Sequence, residues 1–544
     1  MKKMNLSTIK RTSFAAFLAC TFAACNESEF LNLTNPNQAV DKTFWTSEAN
    51  AQAAMATVYS PIRGQMYGYF GGYTGWHTMN RADDVWFILN EEMHNWEPAT
   101  YTNTPNTAES DFEKMYMAIN RANVVMKNVR NVPMSDAKKD ELYGEAAFLR
   151  GYNYLLLAAN FGNVPLRLIP ALDDQAEVMK ASSPEADIWK QVIADFKTAK
   201  EFLPVTRPAK ESGRVTKGAA IAHLGKALCY TKQYEEAEKE LSLLLKAPYT
   251  YDLTAEFGDN FTEYTEMNKE SVFEIQYDGS FGQGAWGSEG PNDTQGFVIP
   301  NFAGPQGTGG WFKWMPTASI VADFIKEERP AGSDTRFDKR MYTSFFWKHS
   351  DFTDNVPDGA WFGNMSFDEI WEASASKRLR GQPDYPTIDG KKGRFLIKKF
   401  TNYYKNVKDA NSHYNQANQN NNLRVMRFAE VLLLHAEACA KTNKLGDAAA
   451  DLTRIRNRAG LAAKTWGSAD ALMAEVVHQN ELEFFFEGHR FFDLKRWYNY
   501  ADMKQILVTN KKQGAENFQQ KHYYLPIPQN ELNTNTAIRQ HPLW

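Results

Sequence analysis

Apolar side chains recur every three to four positions along most of this chain, the spacing that gathers them on one face of a helix at 3.6 residues per turn. FWTSEANAQAAMATVY, residues 44–59, predicts the first helix of the body, with Thr46 or Ser47 as N-cap and helix-formers after it. Residues 111–130 and 141–160 predict two long amphipathic helices, the second reading ELYGEAAFLRGYNYLLLAAN before Pro165 and Pro170 end the pattern. Residues 184–203 predict another. Pro184 opens it, Ile188, Trp189, Val192, Ile193 and Phe196 share one face, and Pro204 follows its end. After the first helix, PIRGQMYGYFGGYTGWH (61–77) interleaves Gly64, Gly68, Gly71, Gly72 and Gly75 with rings, which predicts loop.

Two later segments resemble tetratricopeptide helix pairs. Residues 214–248 place the small Ala219, Ala220 and Gly225 where helices would approach closely, then Tyr230, Tyr234-Glu235-Glu236-Ala237, Leu241 and a stopping Pro248. Arg424 to Leu461 repeats that logic with Phe428, Leu432, Ala436 and Ala438, then Leu445-Gly446-Asp447-Ala448, Leu452 and Ile455. About 170 residues separate the two pairs, so a simple tandem solenoid is not expected. The intervening residues 249–423 predict a loop-rich insertion. Short strands are expected only at Ser271 to Gln276 and Arg394 to Phe400. From Phe281 to Met315, nine glycines and Phe281, Trp286, Phe297, Phe302, Trp311, Phe312 and Trp314 follow neither a helical nor a strand period.

Asn480 to Trp497, NELEFFFEGHRFFDLKRW, reads as a helix pressed deep into others, with Leu482, Phe484, Phe485, Phe486, Phe491, Phe492 and Trp497 as its large apolar residues. Glu483, Glu487, Arg490, Asp493 and Arg496 stand three or four apart, which lets them pair along the helix or with neighbours. Glu487, His489 and Asp493 can also be read as acid, base and orienter, or His489 and Asp493 as two metal ligands. No HExxH spacing and no nucleophile elbow accompanies them, so these charges are expected to be structural partners.

Composition narrows the function. The 14 Trp, 24 Tyr and 35 Phe exceed ordinary core needs, so some rings are expected to face a ligand. Residues 1–24 read as an export leader: basic Lys2, Lys3, Lys10 and Arg11, an apolar core around Phe14 to Phe22, then Ala23 and Ala24 before Cys25. Loss of that leader changes the formal charge from −4 to −8, which argues against a nucleic-acid partner. TFAAC resembles a bacterial lipobox, in which Cys25 is acylated and becomes the first residue; a plain secretory cleavage site is the alternative. Residues 25–40 then form a lipidated tether and 41–544 one body. Of the remaining cysteines, Cys229 and Cys439 sit in apolar helical runs and are expected to be buried free thiols, a disulfide between them being the alternative.

Phe44-Trp45, GEAAFLRGYNYLLLAANFGNVPL (144–166), GRVTKGAAIAHLGKAL (213–228), RFAEVLLLHAEA (427–438), RIRNRAGL (454–461), ELEFFFEGHRFFDLKRW (481–497) and LPIPQNELNTN (525–535) come in an order and spacing that resemble the SusD/RagB family. These are surface lipoproteins of Bacteroidetes that capture nutrients for a TonB-dependent transporter. The resemblance implies a mainly α fold: a tetratricopeptide-like hairpin scaffold over about residues 41–248 and 424–544, carrying a large irregular region and a few short β-strands. It also implies a SusC-like transporter as partner, anchoring in the outer membrane through Cys25, and no catalysis. The acidic Asn26-Glu27-Ser28-Glu29 resembles the signal that sends such lipoproteins to the outer face.

Gly-rich loops bearing Trp suit a glycan, because a sugar's C–H face packs on indole while amide, carboxylate and guanidinium groups satisfy its hydroxyls. The expected site joins Tyr67 to Trp96 with Trp286 to Trp314. Trp76 and Trp96 serve as platforms with Arg81 and Asp83 as donor fork and acceptor between them, facing Trp286, Trp311 and Trp314. An extended peptide is the alternative ligand. A surface glycoside hydrolase is another, with Asp83, Asp84, Glu289 and Asp293 as the available carboxylates. No cofactor is implied, and a metal is left open, since no EF-hand spacing marks a Ca²⁺ loop.

Overall fold

The computed structural model describes residues 44–63, 78–88, 97–278, 297, 299–359, 365–404 and 419–544. The expected leader and tether, and most of the first glycine-rich segment, lie outside these residues. Nine of the helices form one stack. These are α1 (Glu48–Arg63), α2 (Glu109–Asn128), α3 (Asp136–Phe161), α4 (Glu185–Phe202), α5 (Lys217–Tyr230), α6 (Tyr234–Leu241), α8 (Phe428–Lys441), α9 (Leu445–Arg458) and α10 (Ala469–Glu483), each packed on the next. Helix α7 (Ala318–Lys326) lies in the insertion and touches α10.

Local chemistry explains the boundaries. Ser135 caps α3 by accepting from the Lys138 amide, and Thr216 caps α5 by accepting from Ala219. Helix α4 buries Ile188, Val192, Phe196 and Ala199 on one face, each large side chain contributing about 1.5–3 kcal/mol. Where α5 meets α6, a Cβ on Gly225 would stand 2.4 Å from Leu241, so only glycine lets these helices approach so closely. The same face supports the tetratricopeptide comparison.

Although the two hairpins lie far apart in sequence, α6 packs directly on α8, so the stack continues as if the insertion were absent. A strand pair fastens the insertion where it leaves and returns: β2 (Ser271–Ile275) runs antiparallel to β6 (Leu423–Arg427), Leu423 opposite Ile275. This corrects the reading of Arg424 as a helix start, because Phe428 begins α8 only after the chain has used its backbone groups on β2. The strand expected at Arg394 to Phe400 shrinks to β5 (Leu396–Ile397), paired with β4 (Phe345–Phe346). Conversely, the segment expected to lack a period contains β3 (Trp314–Pro316).

Asn480 to Trp497 is not one helix. α10 ends at Glu483, and α11 (Arg490–Trp497) starts only after a turn in which Phe486 (φ 61°) and Gly488 (φ 81°) adopt left-handed backbone. Lys399 Nζ donates to the Phe485 carbonyl at 2.8 Å and to Glu487 at 2.7 Å, and Asp84 accepts from the Phe486 amide at 3.3 Å. The turn therefore exchanges intrahelical hydrogen bonds for tertiary ones. It also puts Phe485 and Phe486 into the main core while Phe491 and Leu494 enter a second cluster with Met503, Leu507 and Phe518. Phe492 is only half-buried.

Candidate ligand-binding face

The two regions expected to share a site are hydrogen-bonded to each other. Strand β1 (Val85–Phe87) pairs antiparallel with β3, setting Trp86 opposite Met315 and Phe87 opposite Trp314. The ladder extends at both ends, Ile88 donating to Lys313 at 2.8 Å and Thr317 to Asp84 at 3.1 Å. Alternation across the pleat sends Val85 and Phe87 inward and leaves Trp86 half-buried on the other side.

Three expected ligand contacts face the interior instead. Trp314 has no exposed surface; its indole N–H donates to Asn80 Oδ1 at 2.7 Å, and Phe87, Phe302 and Phe486 meet it edge-on. The Arg81 guanidinium, also inaccessible, stacks 4.2 Å from the Phe491 ring and donates to Asn160. Asp83 accepts from Arg490 Nε at 2.9 Å and Asn510 Nδ2 at 2.6 Å. Burial alone would raise its pKa, but the Arg490 charge and these hydrogen bonds bring it below the usual carboxylate value. A fully desolvated, paired group offers nothing to a sugar, so Arg81, Asp83 and Trp314 are corrected to structural residues.

Trp311 is half-buried, edge-on to Phe302 at 4.6 Å between centroids. Trp76, Trp96 and Trp286 lie outside the described residues, as do Glu289 and Asp293. Of the carboxylates considered for hydrolysis, Asp83 is spent on Arg490, and Asp84 is pushed up to about 6 by burial and by the neighbouring Asp83 charge.

A cavity of about 380 Å³ opens between α1, the loop before α5, and β2. Its walls are apolar through Ala56, Ile62, Phe273 and Ile275, and its one cation, Arg214, is already matched. Arg214 donates to Glu145 from Nε at 2.8 Å and Nη2 at 2.6 Å, and to Gln52 at 2.7 Å, while the Tyr59 hydroxyl donates to Glu145 at 2.5 Å. Ile62 and Gln276 on its rim stand two and three positions before residues 64–77 and 279–296, which lie outside the described residues. Nothing in the sequence marks the cavity, since Glu145 and Arg214 are 69 positions apart and meet only through the helix stack.

Sequence reasoning also missed an exposed ring. Tyr264 is 71% exposed and leans on Tyr404, with centroids 5.1 Å apart. Tyr404 is fixed in turn by donating to Asn402 at 2.9 Å and accepting from the Glu263 amide at 3.2 Å. Met267, three residues further on, accepts from Gln276 on the cavity rim. Neither period nor composition distinguishes Tyr264 from the other 23 tyrosines, so only packing singles it out.

His489 completes a structural arrangement. Its Nδ1 lies 3.3 Å from Glu430, its ring stacks on Phe484 at 4.6 Å, and Asp493 pairs with Arg496 at 2.8 Å. The acid and the orienter of the catalytic reading are thus tied up, Glu487 by Lys399 and Arg427 and Asp493 by Arg496.

This helical stack with its inserted, strand-fastened irregular face is that of the SusD family, to which the chain belongs: the model described as "SusD family" matches residues 269–544 and that described as "Starch-binding associating with outer membrane" matches residues 29–228. A SusD-like protein of Formosa agariphila is 22% identical over 97% of this chain and 98% of its own length. Among solved structures, a SusD superfamily protein of Bacteroides vulgatus superposes with a TM-score of 0.77 at 29% identity, covering 92% of this chain and 100% of that one. Surface glycan-binding protein A of Bacteroides thetaiotaomicron, solved with laminarihexaose, has a TM-score of 0.70 at 21% identity and covers 91% and 99% of the two chains.

Proposed function

We propose that this chain captures glycan, an oligo- or polysaccharide, at the cell surface and delivers it to a SusC-like TonB-dependent transporter in the outer membrane. The observation that carries the reading is the β1–β3 pair, which joins the two regions richest in glycine and tryptophan. Laminarihexaose in a structure of the same fold supports a glycan as the ligand class. The role is binding without bond cleavage. Trp76, Trp96, Trp286 and Trp311 are the proposed platforms, with Tyr264 added by its exposure.

Screening against starch, laminarin, other glycans and peptides, followed by calorimetry on the alanine variants, tests this. Two or three of Trp76→Ala, Trp96→Ala, Trp286→Ala, Trp311→Ala and Tyr264→Ala should each weaken the selected glycan by at least about 1 kcal/mol, roughly fivefold in Kd. Trp314→Ala should instead lower the melting temperature. Unchanged affinity in all five would remove the site from these loops, and binding confined to peptides would replace the ligand class. Co-purification from mildly solubilised outer membranes tests the transporter; recovery of this chain alone counts against it.

Membrane attachment in this reading rests on the acylated Cys25. Because bacterial lipoproteins hold the membrane through their acyl chains, Cys25→Ala should release nearly all of the protein. Labelling with a radioactive fatty acid checks it, and label retained in the variant refutes the anchor.

A further inference from the structure

The contact between α6 and α8, where the two distant hairpins meet, brings together a set of side chains that the glycan reading does not use. His435 and Cys439 stand one helical turn apart on α8, and Glu238 faces them from α6. One donor atom from each lies within 4.8 Å of the others, and all three residues are buried. Cys439 Sγ is 3.6 Å and Glu238 Oε1 4.0 Å from His435 Nε2. Tetrahedral Zn²⁺ with bonds of about 2.0–2.3 Å requires donor separations of roughly 3.3–3.7 Å, so Cys439 and His435 already fit, while the Glu238 carboxylate must swing in by roughly 0.7 Å toward His435 Nε2.

A second feature points the same way. Asp451 on α9 lies 2.6 Å from His435 Nδ1 and accepts its proton, which turns the Nε2 lone pair toward Cys439 and Glu238. A carboxylate behind a histidine in this manner orients metal-ligating imidazoles and raises their basicity. The other Glu238 oxygen is held by Lys444 Nζ at 2.6 Å, and the Lys444 side chain is 46% exposed, so its displacement opens a way in from solvent.

The geometry points to a divalent soft-metal site, suited to Zn²⁺, formed by Glu238, His435 and Cys439 with Asp451 as positioning residue and a solvent water completing four-coordination. On binding, the Cys439 S–H bond breaks, its proton leaves to solvent, and the thiolate bonds the metal; no redox change occurs. The ion would tie α6 to α8 across nearly two hundred residues of sequence, acting as a staple between the hairpins. Sequence reasoning passed over it because the helical pair His435 and Cys439 lacks a partner nearby: Glu238 comes from the other hairpin.

The test uses the full chain purified in detergent, stripped with chelator and titrated with Co²⁺. One equivalent should bind with a sulfur-to-cobalt charge-transfer band in the near ultraviolet, displaced by Zn²⁺. Cys439→Ser should lose the band, Cys229→Ser should keep it, and Asp451→Asn should weaken binding about 10–100-fold with the band position unchanged. Zn²⁺ at a hundredfold excess over Kd should raise the wild-type melting temperature by about 2–3 °C and leave Cys439→Ser unmoved. Near-ultraviolet circular dichroism confirms that each variant is folded. Absence of the band in folded wild type, or its persistence in Cys439→Ser, overturns the site.

Discussion

Replacing Glu483 by alanine is expected to destabilise the protein by about 3–5 kcal/mol, because it leaves buried guanidinium groups without their counter-charge. Glu483 receives Arg427 Nη1 at 3.0 Å, Arg340 Nη1 at 3.2 Å and Arg458 Nη2. Arg427 also donates to Glu487 from Nε at 2.9 Å and Nη2 at 2.8 Å, and to Glu270. Arg340, Arg427, Arg458 and Lys399 thus face Asp338, Glu270, Glu483 and Glu487, four charges of each sign in a nearly dry interior. Removing one carboxylate breaks that balance. The variant Glu483→Gln should cost nearly as much despite its matching shape, which separates charge from packing. Chemical denaturation read by far-ultraviolet circular dichroism gives the value, and a loss under 1 kcal/mol for both variants would contradict the account.

The same cluster sets an acid limit. Burial alone would raise the Glu483 pKa, but the three guanidiniums hold it far below its usual value, so its contribution is present above the unfolded pKa. That contribution is lost as pH falls below about 4.3. Glu481, pushed up to about 7 by burial, acts in a separate window and with the opposite sign: it favours the folded state below its unfolded pKa and loses that effect as pH rises toward 7. Calorimetric melting temperatures should therefore drop steeply below pH 4, and less steeply in Glu483→Gln.

Truncating Phe485 to alanine is expected to cost about 3–5 kcal/mol through lost burial and the cavity left behind. The ring has no exposed surface, meets Phe345 edge-on at 4.9 Å and follows directly on the end of α10, where the chain cannot move without disturbing Glu483 and Glu487. Phe492→Ala should cost less, since that ring is half-buried beside the second core. His489→Ala should leave glycan binding intact in folded protein. Loss of binding at an unchanged melting temperature would restore a functional role for this histidine.

The helices were legible because a 3.6-residue period needs only local sequence. Residues 184–203 predicted α4 to within a residue at each end, Pro184 and Pro204 marking both boundaries. The aromatic and charged composition of Asn480 to Trp497 likewise revealed a segment buried among helices with paired charges. Its break at Phe484 to His489 was not legible, because Lys399 and Asp84, which satisfy the turn, are distant in sequence.

On the candidate face, glycine and ring content singled out the segments around Trp76 and Trp286, and pairing of β1 with β3 joins the described residues that follow them. Composition cannot say which way a side chain points. In a strand, alternate residues face opposite sides, so the choice between Trp86 and its neighbours rests on a register that only the partner strand sets. Arg81 and Asp83 look like ligand groups in sequence and are interior ion and stacking partners in space, because Phe491, Arg490 and Asn510 reach them from more than four hundred residues away. The local period and the punctuating prolines determined the elements. The direction of each side chain, the closing of α6 onto α8 and the meeting of Glu238 with His435 were decided by long-range burial, which no short stretch of sequence contains.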